Sequence, residues 1–166
     1  MRAWSALYRS PVVCKHMRGP VLRSAADWWT RITQARDDQT KPLMVELTTT
    51  GEFVGACGFL KEQGTTDVWE VYCLFQRKYW NRGFATEATR ALLETAFRSL
   101  GASRVIGIIN HENIASIRMV EHIGFCQAGS YSKPRSWQDG HLLFVFDLST
   151  YNSLLNTDAR VPELTR

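Results

Sequence analysis

The stretch YWNRGFATEATRALLETAFRSLG, Tyr79 to Gly101, sets the frame for the rest of the chain. Its apolar residues recur at helical spacing from Ala85 to Leu100: Leu92, Leu93, Ala96, Phe97 and Leu100 share one face, and Glu87, Arg90, Glu94 and Arg98 share the other. Gly101 ends the helix. At its start the first-turn amides lack intrahelical acceptors and the macrodipole is positive, so an anion is the natural guest. Gly83 has no Cβ to hold a ligand off the backbone, and Ala85 is nearly as small. Read alone, a Gly-x-Ala turn is more often an ordinary strand-to-helix connection than a phosphate cradle.

Working outward, Val68 to Phe75 alternates before this turn. Trp69, Val71, Cys73 and Phe75 form the expected core face, while Glu70 and Tyr72 project together into solvent or a cleft. Upstream, Leu43–Leu47 and Glu52–Leu60 read as strands of a hairpin closed by TTTG, with Gly55 and Gly58 marking a bulge or a close approach of another group. Residues 3–10 read as a helix, VVCKHM as an irregular connection, and RSAADWWTRITQARDD as a second helix capped by Ser24. Downstream, Arg104–Ile109 is a short strand, Ile114–Ile123 a helix stopped by Gly124, and Phe125–Tyr131 and His141–Leu148 are two further strands. From about Tyr151 the chain is polar and aperiodic and is expected to be loosely ordered. The fold class is therefore α/β in the α+β sense, a mixed sheet flanked by helices in one domain over residues 1–150, with a tail at 151–166.

A chain of 166 residues, 45% hydrophobic and 22% charged, fits one soluble globular domain. Cys14, Cys57, Cys73 and Cys126 lack metal-ligand spacing and read as reduced, mostly buried thiols of a cytoplasmic protein, with no metal. No apolar run is long enough for a membrane span. The net charge of +4 is concentrated early, with eight Lys/Arg against three Asp in residues 1–41. Without a basic stripe interleaved with exposed aromatics, no nucleic acid is expected as partner.

Two blocks carry a resemblance. Trp80-Asn81-Arg82-Gly83-Phe84-Ala85 resembles the Q/R-x-x-G-x-G/A loop of the GNAT superfamily of acyl-CoA N-acyltransferases, with Trp80 in place of the usual Gln or Arg. NHENIASIRMVEHIGF, Asn110 to Phe125, is similar to the N-x-x-N-x-x-S and E-x-x-G-F motifs of the branch that acetylates protein N-termini, including ribosomal proteins. Weaker similarity runs from about Trp4 to Leu148. The resemblance implies a mostly antiparallel sheet splayed at its middle strands, here where Cys73–Phe75 parts from Val105–Ile109. It also implies acetyl-CoA as the cofactor and a primary amine, such as a peptide N-terminus or a small amine, as acceptor.

The resemblance further implies pyrophosphate binding at the amides of Arg82, Gly83, Phe84, Ala85 and Thr86, with positive charge from Arg77, Lys78 and Arg82. A backbone amide at Leu74 or Phe75 polarises the carbonyl, Asn110 and Asn113 lie along the cofactor, and Glu70 is the base, acting through water with a pKa raised by partial burial. The general acid often found as a Tyr is Val120 in this chain, and Ser116 stands as the substitute donor to sulfur. Tyr72 and Tyr131 are fallback donors. Family members begin with a strand before the first helix. Here Met1 stands almost at that helix, so either the strand is lost, leaving an edge open to homodimer pairing, or the natural start lies upstream. A rival expectation is an acyl-CoA-binding regulatory domain without turnover.

Overall fold

Seven consecutive residues of one strand, Phe53 to Phe59, are buried, a run that places this strand inside a sheet covered on both faces. The computed structural model describes residues 6–7, 9–17, 38–62, 64–131 and 140–158. Its six strands are β1 (Leu43–Glu46), β2 (Phe53–Lys61), β3 (Val68–Phe75), β4 (Arg104–Asn110), β5 (Cys126–Ser130) and β6 (His141–Asp147), in the order β1-β2-β3-β4-β6-β5. All neighbours are antiparallel except β3 and β4. The helices are α1 (Pro11–Cys14), α2 (Phe84–Ser99), α3 (Ile114–Ile123) and α4 (Leu148–Asp158). The mixed, mostly antiparallel sheet with flanking helices is the one expected from the sequence.

The parallel pair positions everything else. β3 and β4 are in register at Val68 with Arg104, Trp69 with Val105 and Glu70 with Ile106, and there the ladder stops. Beyond that point β3 stays with β2 to the pair Phe75–Gly55, and β4 stays with β6 to the pair Asn110–His141. Each middle strand follows its antiparallel partner, so the two diverge into a splay. Parting starts earlier on β3 than the sequence reading placed it, after Glu70, and later on β4, after Ile106. Both glycines of β2 mark close approach, and Gly55 also borders a bulge: a Cβ on Gly55 would collide with the Leu74 carbonyl, and one on Gly58 would lie 2.9 Å from the Tyr72 hydroxyl. The register with β1 slips beside Gly55: Val45 pairs with Gly55 and Glu46 with Phe53, which leaves Val54 as the extra residue of a bulge on β2.

The main core lies between the sheet and α2 with α3. Trp69, Leu92, Leu93, Ala96, Phe97, Val105, Ile109, Phe144 and Phe146 are buried together, so the apolar stripe of α2 meets the Trp69 face of β3 as its spacing predicts. A smaller cluster joins Leu7, Phe53 and Ala56. The N-terminal stretch departs from expectation, because Pro11–Cys14 is a helical turn and not an irregular connection. Ser10 caps it, accepting from the Val13 amide at 3.5 Å, and Pro11 supplies a preset φ in its first turn. The helix expected over 23–38 lies outside the described residues, as do Trp28 and Trp29; Asp38–Thr40 forms a short 3-10 turn. Among the described residues no strand precedes Leu43. β1 is a sheet edge in the described structure, with Leu43 and Met44 about half exposed.

The C-terminal tail is the clearest correction. Leu148–Asp158 is a helix, and Tyr151 stacks on Phe97 at 4.9 Å while accepting from Arg98 Nε at 3.1 Å. Its amphipathic pattern is weak, so local sequence did not announce it; tertiary contact with α2 holds it. Replacing Tyr151 by Ala is expected to cost about 2 kcal/mol, a melting temperature lower by roughly 4–8 °C. Calorimetry checks this, and an unchanged transition would show that α4 is not part of the cooperative unit.

Candidate active site

Because β3 and β4 are parallel, their C-terminal ends lie at the same end of the sheet, and each leads through a short turn into a helix. The N-termini of α2 and α3 therefore flank the mouth of the splay. In open α/β sheets this is where ligands gather, outside the carboxyl ends of the strands.

The turn from β3 to α2 is held at several points. Gln76 bonds back to β2 twice, its amide to the Val54 carbonyl at 3.0 Å and its Nε2 to the Phe53 carbonyl at 2.8 Å. A 3-10 turn, Arg77–Tyr79, follows, and Tyr79 is buried edge-on against Phe84, ring centroids 5.6 Å apart. Trp80, which departs from the usual loop pattern, donates its indole N–H to the Phe75 carbonyl at 2.8 Å and so ties the loop to the end of β3. Asn81 takes φ 58° and Gly83 φ 85°. Gly83 is the N-cap of α2 and offers no side chain to the first-turn amides. The Glu87 amide is bonded to the Gly83 carbonyl at 3.0 Å, so the amides of Phe84, Ala85 and Thr86 point out of the helix with no acceptor one turn back. A Cβ on Gly83 would meet nothing within 4 Å. The loop is an open concavity of amide donors suited to a phosphate.

The basic residues near it differ in availability. The Arg82 guanidinium sits 5.5 Å from the rings of both Tyr79 and Phe84, and Arg77 is exposed. Lys78 is paired with Glu52, a residue the sequence reading passed over because it sits 26 positions away across the hairpin. The hydrogen bond from Lys78 holds the Glu52 carboxyl below the usual range, and the same contact pushes the Lys78 ammonium up. With Glu52 depressed, the pairing is fully present above the ordinary carboxylate range and is lost as pH falls through the lowered value. Glu52→Gln is expected to tighten binding of a phosphate-bearing ligand roughly two- to fivefold at low ionic strength, an effect that added salt removes. Titration of that variant at two salt concentrations checks the expectation, and equal affinity in the two proteins would show that Lys78 does not face the ligand.

Hydrogen-bond phase decides which strand groups face the splay. The Gln76–Val54 bond puts Val54/Gln76, Ala56/Leu74 and Gly58/Tyr72 at bonded positions of the β2–β3 ladder. Leu74's amide is therefore turned toward β2, while those of Cys73 and Phe75 are turned toward the splay. Of the two donors expected from the sequence, Phe75's amide is turned toward the splay and Leu74's is not. Glu70 occupies the last position before the strands part, and it is 6% exposed rather than facing solvent. Tyr72 lies on the same face, its hydroxyl folded over Gly58 and its pKa raised by burial.

On the other wall, Asn113 caps α3, its Oδ1 accepting from the Ser116 amide at 3.3 Å, and the Asn110 Oδ1 accepts from the Glu112 amide at 2.9 Å. Both asparagines shape the turn from β4 into α3, and Ser116 is partly buried in the first turn of that helix. Val120 is buried in the main core. Tyr131 directly follows β5, its amide bonded to the His141 carbonyl at 2.9 Å.

Residues 2–126 match the sequence profile of the acetyltransferase (GNAT) domain. The chain belongs to that family. GNAT acetyltransferases use acetyl-CoA. The chain is 36% identical over 105 residues to the uncharacterized protein YkkB of Bacillus subtilis (strain 168), an alignment covering 62% of this chain and 58% of that one. It is 26% identical over 154 residues to an uncharacterized N-acetyltransferase, p20, of Bacillus licheniformis, covering 83% and 84% of the two chains. In three dimensions this GNAT domain is similar to the spermidine N-acetyltransferase of Vibrio cholerae solved with CoA and spermine, with a TM-score of 0.76 at 14% identity and 91% of each chain covered. At that identity the likeness concerns the fold. No helix among the described residues is long and apolar enough to cross a membrane.

Proposed function

We propose that the chain is an acetyl-CoA-dependent N-acetyltransferase that moves an acetyl group directly to a primary amine. One observation carries this reading: a parallel strand pair that parts after Glu70 and Ile106, with the amide-lined N-terminus of α2 at the open end. The space in front of Gly83, which a Cβ would enter unopposed, fits a pyrophosphate.

In this reading the amides of Phe84, Ala85 and Thr86 hold the pyrophosphate, and Arg82 and Arg77 add charge. The cofactor, when bound, supplies an acetyl group activated as a thioester. Phe75's amide, directed into the splay, is the donor placed for the carbonyl oxygen. Glu70, at the apex of the splay, takes the proton of the incoming ammonium through water, and Ser116 gives a proton to the departing sulfur. Asn110 and Asn113 keep α3's first turn against that path.

For the acceptor we favour a peptide α-amine over a polyamine. By strand alternation the face that carries Glu70 also carries Gly58, Tyr72, Leu74, Ile106, Ile108, Leu143, Val145 and, on the side away from the splay, Asp147. Asp147 is paired with Arg104, so among the described residues of these strands Glu70 is the acid at the splay itself. A single carboxylate matches one ammonium, whereas a polyamine with several charges calls for several acids. The second reading, a small-molecule amine, draws on the neighbour bound to spermine. A homodimer through the β1 edge is part of the proposal, since among the described residues β1 has a strand on one side only and half-exposed Leu43 and Met44.

Calorimetric titration with acetyl-CoA and CoA, followed by thiol release over a panel of peptides and small amines, tests the reading. One site per chain with turnover on a peptide panel supports it. Binding without turnover on any amine turns it into a regulatory acyl-CoA-binding domain, and no binding by the folded protein overturns it.

A further inference from the structure

Cys57 and Cys73 face each other across β2 and β3, and the acetyl-transfer reading gives neither a task. They are register partners in an antiparallel ladder, and both are free thiols. The Gln76–Val54 bond that fixes the ladder's phase leaves Cys57/Cys73 at a non-bonded position. At such positions opposed Cα atoms come to about 4.5 Å and the side chains on one face are closest. A disulfide spans Cα separations of roughly 4.4–6.8 Å, so this pair closes without moving the backbone. Both side chains lie on the core face, where Cys73 Sγ also sits 3.6 Å from the hydroxyl of Thr89 on α2.

We propose that Cys57 and Cys73 form a dithiol modification site that closes reversibly to an intramolecular disulfide on meeting hydrogen peroxide. A small oxidant suits a pair set within the core. The Cys57 sulfur attacks one peroxide oxygen, the O–O bond breaks, water leaves, and a sulfenic acid remains. The Cys73 sulfur then attacks the Cys57 sulfur, the S–S bond forms, and a second water carries off the hydroxyl with the Cys73 proton. Two electrons pass from the thiols to one peroxide. The contact between the thiols supports this order: a hydrogen bond from Cys73 holds the Cys57 thiol below its ordinary range, while the same contact and burial push Cys73 up. The thiolate thus forms on Cys57. Closure draws Cys73 away from Thr89 and locks β3 to β2 one residue before Leu74 and two before Phe75, so a covalent staple sits beside the splay.

Peptide mapping of the full chain after peroxide treatment and alkylation in denaturant is the deciding experiment. The expected result is a linked peptide pair carrying Cys57 and Cys73 that disappears on reduction, in wild type and in a C14S/C126S variant alike. The Cys73→Ser variant is expected to trap Cys57 as a sulfenic acid that reacts with dimedone. Exposed Cys126 reports that the oxidant was active. Full recovery of Cys57 and Cys73 as free thiols while Cys126 is oxidised, or oxidation of either without a link, overturns the proposal. The map requires no ligand, so its outcome is independent of whether the chain transfers acetyl groups.

Discussion

Gly83→Asp is expected to abolish CoA binding while leaving the fold near its wild-type stability. At φ 85° a side chain pays strain, but Asp tolerates the left-handed region better than most residues, so the cost is about 1 kcal/mol. A negative charge at the start of α2 offsets part of that through the helix dipole, by roughly 0.3–1 kcal/mol. For the ligand the effect has one sign. The carboxylate enters space that is empty around Gly83, competes for the amides of Phe84, Ala85 and Thr86, and repels phosphate. Loss of two charge-assisted hydrogen bonds at about 1.5–3 kcal/mol each predicts an affinity at least ~100-fold weaker. Calorimetry with CoA beside a thermal melt separates the two effects. A folded variant that binds CoA as wild type does would remove the α2 N-terminus from the site.

Glu70→Gln is expected to lower turnover about 10²–10⁴-fold, the range for loss of a positioned base, with CoA affinity within twofold of wild type. The change keeps shape and hydrogen-bonding length and removes only the charge, which matters at a position 6% exposed. The expected split, turnover lost and cofactor binding kept, reflects the distance along the chain between the apex of the splay and the loop at its mouth. Normal acetylation by the variant would exclude Glu70 as base and shift attention to Tyr72, whose hydroxyl lies over Gly58 on the same face.

Much of this architecture is legible in the residues. The helix over Phe84–Ser99 shows itself through period, β3 through alternation, and the uncapped, amide-lined turn before the helix through Gly83 with its neighbours. The capping role of Asn113 and the stop at Gly124 follow local rules that need no partner. Other features depend on residues distant in sequence. Trp80 looks like a departure from the loop pattern until its indole is seen to hold the Phe75 carbonyl, and Lys78 looks like a free cation until Glu52 is placed beside it. The terminal helix is not legible in the sequence because its pattern is weak and its anchor, Phe97, lies 54 positions before Tyr151.

The sequence by itself determined the elements, the fold class and the position of the amide-lined helix start, because each rests on interactions among residues a few positions apart. Only the tertiary structure decided where β3 leaves β4, which backbone amides face the gap, that Glu70 is buried at its apex, and that two cysteines 16 positions apart are register partners. Those outcomes depend on strand register and hydrogen-bond phase, and shifting either by one residue turns every side chain of a strand to the opposite face.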